Sequence, residues 1–466
     1  MTSGPAGSME KPHAHSSYTS VYRQFLTALS QPLSLAPTCF QRERKFGPLQ
    51  VLLTMQAAHF AGPQAGGQSW EDALASVSGA FGEDTPWGRR FAVSRAAFHR
   101  AMNKTDAEDE VQLWDLCRDM FPSTAGQTLS ELHGIRFAHV DGTQVRTPRS
   151  DALVEVVGIQ TNGPYASSHY PVGKCVLVLE AGTQRILGHE LCRCKAFDKE
   201  QEPVLAREER DGWRLLRENT LKTHGIIADC GFASYEDFAD MIDHEQHFII
   251  AIPKSWNLVH LFKARKQSDA VIKMPLPKNP KRSLTIRVFT IKDGEGKIRY
   301  VATNLKNIFT LSECRRLYKT RWTIETWFRY AKQFLAMRRL RSTTLQGVRL
   351  EILAILMLMQ AIAAMRTRIA HQANHITDLL CSLRDGYRKA KFCTALRTVW
   401  SVICTAMTTP TDDQPPPAFW QLVTKTVPYR PGRRYQRISK DPSGVFIPKR
   451  PSQSQRKAAE KRGVIR

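Results

Sequence analysis

Acidic side chains are the scarce class in this sequence. Against 67 Lys and Arg stand 43 Asp and Glu, which leaves a net charge of +24 and a pI near 9.8. That shortage argues against an acidic solvating role and points to a polyanionic partner, with nucleic acid the first candidate. Clustered cysteine is also missing. The 10 Cys are scattered singly apart from Cys192 and Cys194, so no disulfide framework is expected and a reducing, cytoplasmic setting is. Long hydrophobic runs are absent too: the most apolar one, ILAILMLMQAIAAM at Ile352–Met365, is interrupted by Gln360 and is shorter than a membrane span needs. It reads as a buried core helix, and no membrane partner is expected. Met1–Ser17 lacks an apolar stretch, so no signal peptide is expected, and no internal repeat is visible.

Familiar small motifs fail as well. In His244-Glu245-Gln246-His247 the histidines stand three apart, whereas the zinc-protease helix needs four. Cys192-x-Cys194 has no second ligand pair nearby, and DGEGK at Asp293–Lys297 is a turn without a phosphate-binding loop around it.

What is there fits a folded protein of two or three domains: 466 residues with 42% hydrophobic content. The basic excess sits in two blocks. Lys254–Lys306 holds thirteen cations against three acids, and Arg430–Arg466 holds twelve against two. Either block could merely solubilise, but together they suit tracking a phosphate backbone. Helical segments (VYRQFLTALS, PLQVLLTMQAAHF, SWEDALASVSGAF, EVQLWDLCRDMF) follow a polar start. Among them FAVSRAAFHRAMNK has Ser94 as N-cap, and Arg95, His99, Arg100, Asn103 and Lys104 decorate the helix it would start. This pattern suits the second half of a helix-turn-helix and equally an ordinary basic surface helix.

From Gly134 the pattern changes. IRFAHVDG reads as a strand ending at Asp141, KCVLVLE and QRILGHELC as a hairpin, Asp198–Leu221 as a helix, HGIIAD as a strand ending in Asp229, and SYEDFADMIDHE as a helix capped by Ser234. Short β-like runs then surround a Lys/Pro-rich loop, and Thr310 with Glu313 opens a long helix through a capping box. The alternation indicates a mixed α/β domain. The boundaries that follow are 1–17 disordered, 18–125 helical and DNA-binding, 126–247 first part of the core, 248–309 β-rich insertion, 310–375 second part of the core, and 376–466 a helical region with a basic tail.

Within YKTRWTIETWFRYAKQF, Tyr318, Arg321, Glu325 and Lys332 fall at roughly 0°, 300°, 340° and 320° around a helix axis. One hydroxyl, two cations and a carboxylate thus share one stripe. An Asp before Gly at a strand end is commonly a turn residue, and a solvated helix face also mixes charges. In combination, though, Asp141, Asp229 and Glu325 could converge on a pair of Mg²⁺ ions, which take oxygen ligands and keep positions open for water and phosphate.

The spacing Tyr-x2-Arg-x3-Glu-x6-Lys of Tyr318, Arg321, Glu325 and Lys332 resembles the signature of the DDE transposases of the insertion sequence 4 family. Four fixed residues match by chance at roughly one starting position in 160,000. VDGTQ at Val140–Gln144 is similar to that family's first Asp motif and IIADCGF at Ile226–Phe232 to its second. Arg321-Trp322-x-Ile324-Glu325 and the RPGRRYQRISK tail at Arg430–Lys440 also resemble it. The resemblance covers Gly134–Met365, and it implies a ribonuclease-H-like core with a β-rich insertion after the second Asp. It further implies that Asp141, Asp229 and Glu325 bind two Mg²⁺ ions, for which Mn²⁺ may substitute, and that Tyr318, Arg321 and Lys332 contact phosphates near the cleaved end. The implied partner is double-stranded DNA, both terminal inverted repeats and target, bound by a dimer at the nucleoid. Tyr300 is the candidate for stacking on a flipped base, with a core or sheet-face Tyr the alternative; Trp322 reads as a packing residue. The rival functions are a transposase-derived binding protein that no longer cuts, and a ribonuclease-H-like nuclease without strand transfer.

Overall fold

In the computed structural model the described residues are 19–20, 22–27, 46–60, 69–82, 86–119, 131–159, 169–193, 205–206, 208–220, 223–292, 296–305, 309–374, 392–408 and 414–424. The polar start and the basic tail with its RPGRRYQRISK segment lie outside them.

After helical residues at 19–20 and 22–27 come α1 (Pro48–Phe60), α2 (Trp70–Ala80), α3 (Pro86–Phe91), α4 (Arg95–Lys104) and α5 (Ala107–Asp119). Ser69 and Asp72 close a capping box on α2, and Ser94 caps α4 by accepting from the Ala97 amide, as its sequence position foretells. The α/β part follows with β1 (Glu131–Leu132), β2 (Ile135–Arg146), the short α6 (Asp151–Val157), the hairpin β3 (Val172–Glu180) and β4 (Ile186–Cys192), then α7 (Glu209–Thr220), β5 (His224–Ala228), α8 (Tyr235–Asp243) and β6 (Phe248–Ile252). Next come α9 (Asn257–Ala264), β7 (Asp269–Leu276), β8 (Asn279–Lys292) and β9 (Ile298–Thr303). The described residues close with α10 (Leu311–Lys319), α11 (Trp322–Phe334), α12 (Leu345–Asn374), α13 (Phe392–Thr408) and α14 (Pro417–Thr424).

All nine strands share one sheet, in the order β4-β3-β2-β5-β6-β9-β8-β7 with β1 beside β2. β3 runs antiparallel between β2 and β4, whereas β5 pairs parallel with both β2 and β6. Helical crossovers through α7 and α8 account for the parallel pairs, because parallel strands cannot be joined by a tight turn. This five-strand arrangement fits a ribonuclease-H-like core. β5 is buried along its length, as a central parallel strand must be. The β-rich stretch continues the same sheet: β9 pairs antiparallel with β6, and β8 and β7 extend the row outward. β7 alternates buried Ile272, Met274 and Leu276 with exposed neighbours, the pattern of a strand with one wet face.

One face of the sheet packs against α7, α8 and α9 through Trp213, Phe238, Leu258 and Phe262. The other face carries α10, α11 and α12. Phe137, Ile227 and Ile249 meet Leu317 and Tyr318 there, while Cys175, Leu177 and Leu179 join the core of α11, α12 and the N-terminal helices. α12 has a 25-residue apolar segment, Leu345–Ile369, long enough by composition to cross a membrane, so the run is longer than the sequence reading allowed; 94% of the apolar window is buried inside the protein. Glu351 on α12 accepts from the amides of Arg341 and Ser342 and pairs at 3.0 Å with His59 of α1. The N-terminal helices and the α/β part therefore share one core.

Candidate active site

The site begins with register. Val140 of β2 faces Ala228 of β5, so the next residues, Asp141 and Asp229, lie at the same level of two adjacent parallel strands; Asp229 follows the end of β5, whereas Asp141 lies within β2, which runs on to Arg146 beside β3 rather than ending at Asp141 as the sequence suggested. Val140 and Ala228 pack under the α7–α9 layer, and alternation turns the two aspartates to the opposite face. His139, two residues before Asp141 and on its face, hydrogen-bonds the Thr320 hydroxyl between α10 and α11. Asp141 thus points at that junction. Its Oδ1 accepts from the Gly142 amide at 2.8 Å, and Asp229 caps the following turn through the Gly231 amide at 2.8 Å. Gly142 has its own reason: a Cβ there would lie 1.8 Å from the carboxylate of Glu209, which pairs with Lys174.

The expected single helix is two. α10 starts at the Thr310/Glu313 capping box and stops at Lys319, and α11 starts after Arg321. Between them the backbone bonds tighten to three-residue spans (Thr320 to Leu317, Arg321 to Tyr318, Thr323 to Thr320), and the Thr320 hydroxyl donates to the Leu317 carbonyl. Both junction residues keep right-handed helical angles, so Arg321 and Glu325 still stack one turn apart. Arg321 Nη2 lies 2.6 Å from Glu325 Oε1 and Nη1 3.7 Å from Asp141 Oδ2. One buried guanidinium therefore stands between a strand carboxylate and a helix carboxylate.

Electrostatics complete the arrangement. Burial, then the charge of Asp229, pushes the Asp141 carboxyl up to about 7, although the Gly142 amide and Arg321 oppose the shift. Lys332, half-buried on α11, is held below the usual lysine range by burial and then Arg338, against the pull of Asp141 and Cys175. Tyr318 is 4% exposed, and burial raises its phenol above the usual range while the charges of Arg321 and Arg299 pull it down. Its hydroxyl lies within electrostatic reach of the guanidinium without hydrogen-bond geometry to it. Asp141, Asp229, Glu325, Tyr318, Arg321 and Lys332 thus gather around one junction.

The residues suit a hard divalent cation: the donors are carboxylate oxygens, and the charge of Asp229 acts on Asp141 beside it. Among the described residues no three His, Cys, Asp or Glu side chains close into a ready cage. Arg321 supplies the positive charge instead.

Tyr300 is not among the gathered residues. It sits in β9 on the α9 face, 9% exposed, with Phe262 edge-on at 5.9 Å and the Lys263 amine 5.6 Å from its ring centroid. Its neighbour Arg299, exposed and turned the other way, acts on Cys230 and Tyr318 and so borders the carboxylates. Strand alternation in IRYVAT could have singled it out; the aromatic residue drew attention instead. Trp322, expected to pack, is 54% exposed, and the Arg321 guanidinium lies 5.5 Å from its ring centroid. A helix-start position beside a buried Arg leaves it no core to enter.

Two carboxylates from adjacent parallel strands, Asp141 within β2 and Asp229 just past β5, thus stand near a helix glutamate, with one guanidinium between Asp141 and Glu325. Residues 133–360, just under half of the chain, match the family model of the transposase DDE domain. That stretch is similar to a transposase DDE domain, and all seven residues singled out in the sequence fall inside it. Solved structures that match include the piggyBac transposase synaptic complex with hairpin DNA, at 10% identity over 88% of this chain and 92% of that one, with a TM-score of 0.41. No curated protein matches the chain.

Proposed function

We propose that the protein is a metal-dependent DDE transposase of the insertion sequence 4 type. It binds the terminal inverted repeats of a mobile element as a dimer, cuts there, and joins the freed 3′ ends to target DNA by cut and paste, in the cytoplasm at the nucleoid. The observation that carries this reading is the juxtaposition of Asp141 and Asp229 at the same level of two adjacent parallel strands, with Asp141 and Glu325 reaching one guanidinium. Asp141, Asp229 and Glu325 would hold two Mg²⁺ ions, or Mn²⁺ in their place, and such a pair supplies a hydroxide nucleophile and a charge sink for the leaving oxygen. Arg321, Arg299 and Lys332 lie around the carboxylates, where they would grip the phosphates around the cleaved bond. Tyr318 presents a buried hydroxyl to the same phosphates. The basic face of α4, following α3 after a short turn, is the candidate for reading the ends.

The test uses the purified protein and a labelled duplex carrying the DNA that brackets its gene, with a supercoiled plasmid as target. Mg²⁺-dependent nicking at the repeat followed by joining to the plasmid is expected. Cutting without joining would favour the nuclease reading, and binding without cutting the inactive binding protein.

A further inference from the structure

Arg321 is only 5% exposed, yet its guanidinium is incompletely satisfied. Nη2 bonds Glu325, Nη1 reaches Asp141 only at 3.7 Å, and Nε has no hydrogen-bond partner among the described residues. The adjacent Tyr318 hydroxyl, equally buried, has none either. A buried donor without a partner is costly, so this guanidinium holds a compromise position. It stands between the carboxylates of Asp141 and Glu325, where a cation would otherwise serve them, while its unpaired edge and the tyrosine hydroxyl are ready for an anion.

We propose that Arg321 is an exchangeable counterion: in the metal-free protein it stands in for a divalent ion between Asp141 and Glu325, and a DNA phosphate arriving at Tyr318 draws it away. Phosphate binding and metal loading are then coupled through one side chain. An ion entering alone must break the contact with Glu325 and bring a second positive charge beside the first. A phosphate arriving first takes the guanidinium in a bidentate grip and leaves the carboxylates bare. The device keeps the site from loading metal until DNA is in place. By reciprocity, metal must tighten DNA binding by the factor with which DNA tightens metal binding. The inference rests on the reading of Asp141 and Glu325 as metal ligands.

The test measures Mn²⁺ affinity by electron paramagnetic resonance, with and without a random-sequence duplex of about 30 base pairs, long enough to cover one interface. Arg321→Gln should bind Mn²⁺ about tenfold more tightly than wild type without DNA, equivalent to about 1.4 kcal/mol. Wild type should gain affinity when the duplex is added, and the variant should gain much less. Arg321→Lys covers the case in which the glutamine variant does not fold: its point charge cannot span two carboxylates as the planar fork does, so it too should bind Mn²⁺ more tightly than wild type. Equal or weaker Mn²⁺ binding by the folded variant, or an undiminished gain from the duplex, overturns the exchange while leaving the metal site standing. Absence of Mn²⁺ binding by wild type, with and without duplex, would overturn both.

Discussion

Asp141 is where stability and function pull apart. Its carboxyl is pushed up from 3.8 to about 7 by burial and by Asp229, so in the metal-free protein its ionisation opposes folding. The folded state holds this proton more tightly than the unfolded chain does. Stability from this group is therefore full below about pH 4 and is lost as pH rises toward 7. Asp141→Asn should stabilise the metal-free protein at pH 8 by on the order of 2–4 kcal/mol and change little at pH 3.5, while abolishing metal-dependent cleavage. Melting in chelator at the two pH values checks it, and equal melting at pH 8 would mean that Asp141 carries no trapped charge. Glu325→Gln addresses the helix carboxylate. It keeps size and hydrogen bonding but removes a charge, so nicking should fall by orders of magnitude while gel-shift binding persists. Lys332→Ala should reduce nicking less and weaken engagement of the end. If Glu325 were only the surface partner of Arg321, its loss would cost about 0.5 kcal/mol and leave cutting normal.

At the scale of elements, the strands that build the site were legible because their apolar runs stop at Asp-Gly and Asp-Cys-Gly, and the capped helices because Thr310, Ser234 and Ser94 accept the amides their positions foretell. The break between α10 and α11 was not. Thr320 and Arg321 keep helical angles, and a tightened turn leaves the side-chain spacing almost unchanged. Nor was the union of the β-rich stretch with the core sheet legible, since it rests on pairings such as Ile249 with Thr303, distant in sequence. β9 offers a contrast within one strand. Tyr300→Ala should remove packing against Phe262 and cost about 3–5 kcal/mol without any DNA present. Arg299→Ala should leave stability within about 0.5 kcal/mol and weaken duplex binding, its log–log salt slope falling by about 0.9 for one lost phosphate contact. A stable Tyr300→Ala protein that fails only with DNA would return the base-stacking role to Tyr300.

At the scale of the whole molecule, the shared core decides how end recognition can be probed. α1 is buried almost throughout against α12, Met102 of α4 lies against Gly347 of α12, and the Phe60 ring stacks on Trp400 of α13 at 5.3 Å. Deleting the N-terminal helices would strip this apolar surface and unfold the catalytic half, so truncation cannot separate reading from cutting. Charge on the exposed face of α4 can. Phe98 and Met102 anchor that helix inward, while Arg100, Asn103 and Lys104 face solvent. Nor is the nominal charge of the β-rich stretch all available to DNA: Arg287 is buried on Asp269 and Arg282 is tied to Asp243, whereas Lys281 is exposed. Reversing Arg100 and Lys104 to Glu should therefore leave melting within the ordinary range of surface changes. It should also remove the preference for the element's ends over random duplex, because base contacts specify while phosphate contacts only position. Lys281→Glu should do the opposite, lowering affinity for every duplex alike and flattening the salt dependence. Competition binding of both variants against end and random duplexes decides between them. If the α4 variant still discriminates as wild type does, the ends are read by another surface, and the resemblance of α3 and α4 to a helix-turn-helix is one of shape alone.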